Sequence, residues 1–289
     1  MVYEQGESGK LNIKKYILIA SLTWAFFILV LLLFFSLEYF SCGDGTSYDK
    51  CSENKPYFCS KGNLVPDSNL CGCPLEFDSV GGKCFSEYST NSKLMVLNYS
   101  LKNKNREINF TIYEGFYDYI SKIPRSIDIL ENPNPSMDDF KSKMIDNELQ
   151  RVFLMPLVVE IQNNAKKREN QAMIAVSLVQ NIPYDKLDKN ISILSQALNS
   201  RYPYEVIYDN KGVCGEKSNL LAFLLKEIGY DVVIFHFQKE NHEAVGVRCS
   251  SGDFEDTGYC IFDSTSEYSY QLESFSYPEI IYVSKGFSL

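Results

Sequence analysis

The chain has 289 residues, 45% hydrophobic and 14% aromatic, with 28 basic against 37 acidic side chains and a net charge of −9. That length allows one or two domains with a sizeable core, and the aromatic content excludes a disordered tail. The acidic balance leaves little to neutralise phosphates with, which argues against nucleic-acid binding.

In chain order, residues 1–15 read as a cytoplasmic tail and residues 16–37 as a membrane anchor. Tyr16 to Leu37 is a run of 22 residues without a charge. As a helix it rises about 33 Å, enough for a hydrocarbon core of about 30 Å. A cleaved signal peptide has a shorter apolar stretch and a small-residue cleavage site, so the run reads as an uncleaved signal anchor. Lys10, Lys14 and Lys15 precede it, while Glu38, Asp44 and Asp49 follow. Basic residues stay on the cytoplasmic side. The expectation is a single-pass cell-membrane protein with its N-terminus inside and residues 38–289 outside.

Residues 38–86 carry six of the nine cysteines: Cys42, Cys51, Cys59, Cys71, Cys73 and Cys84. The residues between them are mostly Gly, Ser, Asn, Asp and Pro, too polar to build a core, so a disulfide module in an oxidising compartment is expected. Six cysteines allow 15 pairings, and the closeness of Cys71 to Cys73 removes three. A zinc knuckle would want a C-x2-C pair or a histidine, and neither is present. Sequons at Asn98, Asn109 and Asn190 permit glycosylation in the same outside portion.

Residues 87–130 read as a connector containing a β-hairpin, with strands over 93–101 and 107–113 flanking the basic turn Lys102–Arg106. Ile108, Phe110 and Ile112 alternate onto one face. The Pro/Asn-rich stretch Glu131–Pro135 marks a boundary, and residues 131–289 read as the main domain. Ser136 and Asp139 form a capping-box pattern opening a helical periodicity that runs to Ile161. Asn170–Gln180 is a second helix, apolar enough to be buried and too short to cross a membrane.

The chemistry concentrates after residue 210. Cys214 follows Gly212 and opens a strongly apolar helix that Gly229 ends. A thiol at a helix N-terminus faces the positive end of the dipole, which favours the thiolate. A strand over 231–237 and a polar turn lead into a strand starting at His242, and a further strand over 259–265 carries Asp263. Alternation places His242, Ala244 and Gly246 on one side of their strand, and Tyr259, Ile261 and Asp263 on one side of theirs. The small residues beside His242 are expected to leave room for a helix end or a substrate. A cysteine nucleophile needs a histidine to carry the proton, and the histidine needs a carboxylate to orient it. Cys249 and Cys260 flank an eleven-residue excursion and can pair, which leaves Cys214 as the free thiol. His236 sits among Val233, Ile234, Phe235 and Phe237 and reads as a core or hairpin histidine, with a substitute base as the alternative role. Gly212–Ser218 lacks the Gly-Lys adjacency of a phosphate loop, and no metal centre or cofactor is expected.

Gly212-Val-Cys214, Asn241-His242-Glu-Ala-Val-Gly-Val247 and Phe262-Asp263-Ser-Thr265 together resemble the transglutaminase-like branch of the papain-like superfamily, especially its membrane-anchored archaeal members. Gln180-Asn-Ile-Pro-Tyr184 and Arg201-Tyr-Pro-Tyr-Glu205 extend the likeness over about residues 170–265. The resemblance implies an α+β fold with the cysteine helix packed on an antiparallel sheet. It also implies roles: Cys214 as nucleophile, His242 as base and Asp263 as orienting carboxylate, with Gln180 a candidate oxyanion-hole donor. The function expected is a membrane-anchored, extracytoplasmic thiol enzyme acting on amide bonds of a protein or peptide substrate. The competing expectation is a catalytically inactive surface module of the same fold.

Overall fold

In a computed structural model of the chain, the described residues are 9–128, 130, 132–185, 200–265 and 276–283, with side chains described over 15–30 and from 40 onward. The sequon at Asn190 lies outside them. The chain divides into two compact units, residues 1–41 and 42–289. In the first, one helix, α1 (Gly9–Tyr39), contains the whole uncharged run. Among the described residues, no helix is long and apolar enough to cross a membrane.

The second unit begins with the cysteine-rich segment. Strands β1 (Tyr57–Ser60) and β2 (Asn63–Pro66) pair antiparallel, the one-turn helix α2 (Ser68–Cys71) follows, and β3 (Asp78–Val80) pairs with β4 (Lys83–Phe85). The bridges are Cys42–Cys59, Cys51–Cys71 and Cys73–Cys84, one of the twelve pairings left open by the spacing. The segment does not stand apart as a stalk. Cys42, Tyr57, Cys59 and Leu64 are buried in the same core as the helices that follow. Leu64 exchanges both backbone hydrogen bonds with the Asn163 side chain, at 2.8 and 3.0 Å. A Cβ on Gly43 would lie 2.1 Å from the carbonyl oxygen of Gln162, so only glycine fits there. A segment too polar to form a core thus uses its neighbour's.

Strands β5 (Ser92–Leu101) and β6 (Lys104–Tyr113) form the expected hairpin, with β6 starting three residues nearer the turn than the alternation alone suggests. Lys102 and Asn103 both have positive φ (52° and 61°), the two-residue turn whose twist matches the strands. Met95, Leu97, Tyr99, Ile108, Phe110 and Ile112 face the core, while Asn98 and Asn109 lie exposed on the outer face.

A short helix α3 (Glu114–Ile120) precedes α4 (Met137–Ile145), α5 (Glu148–Asn164) and α6 (Arg168–Asn181). Ser136 and Asp139 cap α4 reciprocally, at 3.3 and 2.8 Å. The single helical stretch expected from Ser136 to Ile161 is broken before Glu148, because the Asn147 side chain accepts the Gln150 N–H (2.8 Å) and starts a new helix. Phe153 of α5 joins the layers: it stacks on Phe116 at 4.0 Å and meets Phe77 of the cysteine-rich segment at 5.4 Å.

Among the described residues, the remaining α-helices are α7 (Pro203–Asp209) and α8 (Cys214–Ile228), with a 3-10 turn at Phe254–Asp256. Strands β7 (Val232–Phe237), β8 (His242–Arg248), β9 (Tyr259–Phe262) and β10 (Glu279–Tyr282) form an antiparallel sheet in the order β10-β7-β8-β9. One face carries Val232, Ile234, Val245 and Val247 into the core shared with Leu220, Leu221 and Leu224 of α8. The other carries Phe235, Phe237, Ala244 and Tyr259, with Phe254 packed over them. Both faces are therefore covered, which explains why all six residues of β7 are buried. Cys249 and Cys260 are bridged across the excursion between β8 and β9.

Candidate active site

The start of α8 is set by its third residue. Val213 offers no side-chain acceptor, but the Glu216 carboxylate accepts the Val213 N–H at 3.1 Å and so closes half of a capping box. Its other oxygen accepts the Arg201 N–H at 2.9 Å. Arg201 then reaches the Lys211 carbonyl (2.9 Å) and pairs with Asp185 and Asp209. One guanidinium thus clamps residues 183–185 and 209–216 together, and this rigid turn presents Cys214. Gly212 pairs with Tyr184 in a parallel bridge in the same turn; a Cβ on it would meet the Lys217 and Val206 side chains at 3.2 Å.

Cys214 is the free thiol, partly exposed at the first position of α8. Its sulfur lies 3.9 Å from the Asn241 carbonyl oxygen. Asn241 has a positive φ of 47°, a conformation asparagine tolerates well. This turn brings His242 to the mouth of a cleft that Cys214 and His242 line together. Behind the imidazole, Asp263 Oδ1 stands 3.4 Å from His242 Nε2. The distance is long for a hydrogen bond, as is common in a site without substrate. The same oxygen accepts the Thr265 N–H and hydroxyl, each at 2.8 Å, so a short Asx turn fixes the carboxylate.

Strand register explains the convergence. Gly246 pairs with Ile261 and Arg248 with Tyr259, so the face bearing His242, Ala244 and Gly246 is the face bearing Tyr259, Ile261 and Asp263. Alternation in the sequence groups each set on one side of its own strand; the register puts the two sets on a common face. The room expected beside His242 is not there, however. A Cβ on Gly246 would lie 2.7 Å from both Phe235 and Val233, and these side chains fill the space.

Electrostatics fit the geometry. Burial disfavours a charged His242, but Asp263 and the Cys214 thiol outweigh it and lift the imidazole to about 9. Burial would raise Asp263, yet His242 and Thr265 hold it below the usual carboxylate range. Beneath the site, Lys217 is 1% exposed and donates to the Ile182 carbonyl at 2.8 Å, closing the end of α6. Burial pulls its ammonium down to about 8, against the attraction of Asp263.

Gln180 is placed differently from an oxyanion donor beside the sulfur. Its amide nitrogen donates to the Asp263 backbone carbonyl at 2.9 Å, and it does not line the cleft around Cys214. It steadies the aspartate's main chain instead. Tyr184 is half exposed and stands near Cys214; burial first, and then the charge of the Cys214 side chain, push its hydroxyl above its ordinary range, while the Cys214 backbone pulls the other way. His236 is the buried hairpin histidine expected, but it is not isolated in apolar surroundings. It faces Glu243 across the β7–β8 pair (3.3 Å) and lines the cleft with Cys214. Glu243 binds Lys141 of α4 at 2.6 Å. Glu243 could have been suspected from sequence, since it follows His242 directly. Lys141 gave no signal, being an ordinary lysine on an amphipathic helix.

Among the described residues, no group of acidic, histidine and cysteine side chains is placed to hold a metal ion. No family model and no curated protein matches the chain. Solved structures do. The chain is similar to Legionella pneumophila LapG (14% identity, 49% of this chain and 81% of that one, TM-score 0.32) and to its EGTA-treated form (14%, 53% and 88%, 0.33). It is also similar to a protein from Cytophaga hutchinsonii provisionally assigned as a cysteine protease (12%, 66% and 69%, 0.31).

Proposed function

We propose that this protein is a thiol enzyme that cleaves amide bonds through an acyl-thioester on Cys214. The observation that supports it best is a single one. The unpaired sulfur opens α8 in an open cleft shared with His242, and Asp263 stands behind the imidazole.

In this reading His242 takes the thiol proton, and the thiolate attacks the substrate carbonyl carbon. The developing oxyanion is met by the Cys214 backbone N–H at the helix N-terminus. The C–N bond breaks and the amine leaves with the proton returned by the imidazolium. A water or a second amine then gives its proton to His242 and attacks the thioester, and sulfur departs to restore the thiol. Hydrolysis and acyl transfer differ only in that last nucleophile, and hydrolysis is the simpler assignment.

The four disulfides favour an oxidising compartment. The uncharged run from Tyr16 to Leu37, with lysines before it and acidic residues after it, favours an anchor that holds residues 38–289 outside the cell membrane. Protein or peptide at the cell surface is then the substrate.

The test is a burst assay with p-nitrophenyl acetate followed by casein hydrolysis. A stoichiometric nitrophenol burst that vanishes in Cys214→Ala and His242→Ala is expected. A burst or a casein activity that survives Cys214→Ala sinks the reading. For the anchor, resistance to alkaline carbonate extraction and external protease access to residues 38–289 are expected; release into the carbonate supernatant would refute it.

A further inference from the structure

Next to the nucleophile, on the side toward α4, lies a cluster of buried polar groups that the proposed mechanism does not use. Lys141 Nζ donates to Glu243 Oε2 at 2.6 Å and to Asn219 Oδ1 at 3.1 Å. Glu243 Oε1 faces His236 Nδ1 at 3.3 Å. All four side chains line the cleft that holds Cys214. They are also next to Gly215: a Cβ there would stand 3.1 Å from Glu243 Oε2 and 3.8 Å from Lys141 Nζ. The cluster therefore borders the residue that follows Cys214 in the same cleft.

The hydrogen-bonding inventory of this cluster is one-sided. Both Glu243 oxygens face a cationic or donor nitrogen, and Asn219 Oδ1 is taken by Lys141. What remains is N–H. Lys141 has three donors and uses two, and the Asn219 amide nitrogen has no partner among the described residues. His236 is 9% exposed, and its Nδ1 lies 3.3 Å from Glu243 Oε1 without a hydrogen bond of acceptable geometry, so that pairing is incomplete. Buried polar groups without partners are uncommon and want an occupant. An occupant that only accepts hydrogen bonds fits; a carboxamide would bring two N–H groups of its own with no acceptor to meet them. Met137, Phe140 and Met144 line the same cleft and offer an apolar path for a short methylene stem. Charge points the same way. A ligand carboxylate and Glu243 together would face Lys141 and His236, two anions against two groups able to carry positive charge.

We propose that Lys141, Asn219 and His236 form a subsite for the carboxylate of an aspartate or glutamate adjacent to the scissile bond, with Glu243 holding Lys141 and His236 in place. This rests on the proposed function for its biological meaning, since it names the substrate class of that site. Its test does not require turnover. Cys214 is alkylated with bromoacetyl-aspartate and, separately, with bromoacetyl-asparagine, which differ only in carboxylate against carboxamide. The aspartate reagent is expected to react at least about tenfold faster. That advantage should fall to near parity in Lys141→Met/Glu243→Gln, which removes both ions together, with each reagent's rate read relative to bromoacetamide on the same variant. Asn219→Asp, which turns a donor into an anion at constant shape, should reduce the advantage without disturbing the fold. Equal rates in the unmodified protein overturn the subsite, as does an aspartate preference that survives these substitutions. Loss of the nitrophenyl burst in Cys214→Ala is scored separately, so failure of the subsite and failure of the thiol-enzyme reading give different results.

Discussion

The segment 42–86 and the segment 200–265 use cysteine in opposite ways. In the first, all six sulfurs are spent on three bridges, in a stretch with few buried apolar side chains. In the second, α8 and the sheet bury so much apolar surface that covalent help is confined to the rim, at Cys249–Cys260, and one sulfur stays free. The difference teaches where each half gets its stability. Staples act largely by restricting the unfolded chain, whereas the second half relies on packing. Cys214 alone stays unpaired, held in the turn clamped by Arg201, while the other eight cysteines are bridged to one another.

Six variants would break or sharpen this contrast. The largest effect belongs to Cys214→Ala. Acyl-enzyme formation should fall by at least about 10³-fold, with the melting temperature nearly unchanged; a large drop in stability would mean that the sulfur is structural after all.

Next is Asp263→Asn, which keeps the shape and removes the charge that supports His242. Activity should fall about 100-fold or more, because the imidazole loses its orienting partner. The pH dependence sharpens this. His242 is raised from 6.5 to about 9, so its contribution to stability is complete below about 6.5 and is lost as pH rises through about 9. The alkaline limb of kcat/KM should lie near 9 in the unmodified protein and move toward neutrality in Asp263→Asn. An unmoved limb would detach Asp263 from His242.

The third concerns the other region. Removing Cys42–Cys59 as a double serine variant should cost about 2–4 kcal/mol in denaturant unfolding, with the burst per folded molecule preserved. Phe153→Ala should cost about 3–5 kcal/mol and loosen both regions at once, since its ring meets Phe77 on one side and Phe116 on the other. If protease sensitivity then appears only after residue 86, the two regions are less joined than their shared core indicates.

The smallest effect is expected at Gln180. Its amide holds the Asp263 main chain and does not line the cleft around the sulfur, so Gln180→Ala should lower kcat/KM by less than about tenfold. A loss of a hundredfold or more would return it to the oxyanion site. Tyr184→Phe is the useful partner: Tyr184 stands near Cys214, and a larger loss there than at Gln180 would make it the donor that Gln180 is not.

Local order carried the sequence far. The helix opening at Cys214 and ending at Gly229, the capping pair Ser136 and Asp139, and the hairpin of residues 92–113 are all encoded within a few residues, where capping and alternation act. The order of cysteine, histidine and aspartate was legible for the same reason, as was the leftover thiol, which follows from counting. Long-range packing was not legible. Which of twelve disulfide pairings forms, the docking of Leu64 on Asn163, and the filling of space at Gly246 by Phe235 all depend on elements far apart in the chain. The same holds for the move of Gln180 onto the Asp263 carbonyl and for the meeting of Lys141 with Glu243, 102 residues later. Propensity and periodicity fix what a segment becomes by itself. Only close packing, in which every buried donor and every cavity must be matched at once, decides which distant side chains share a pocket.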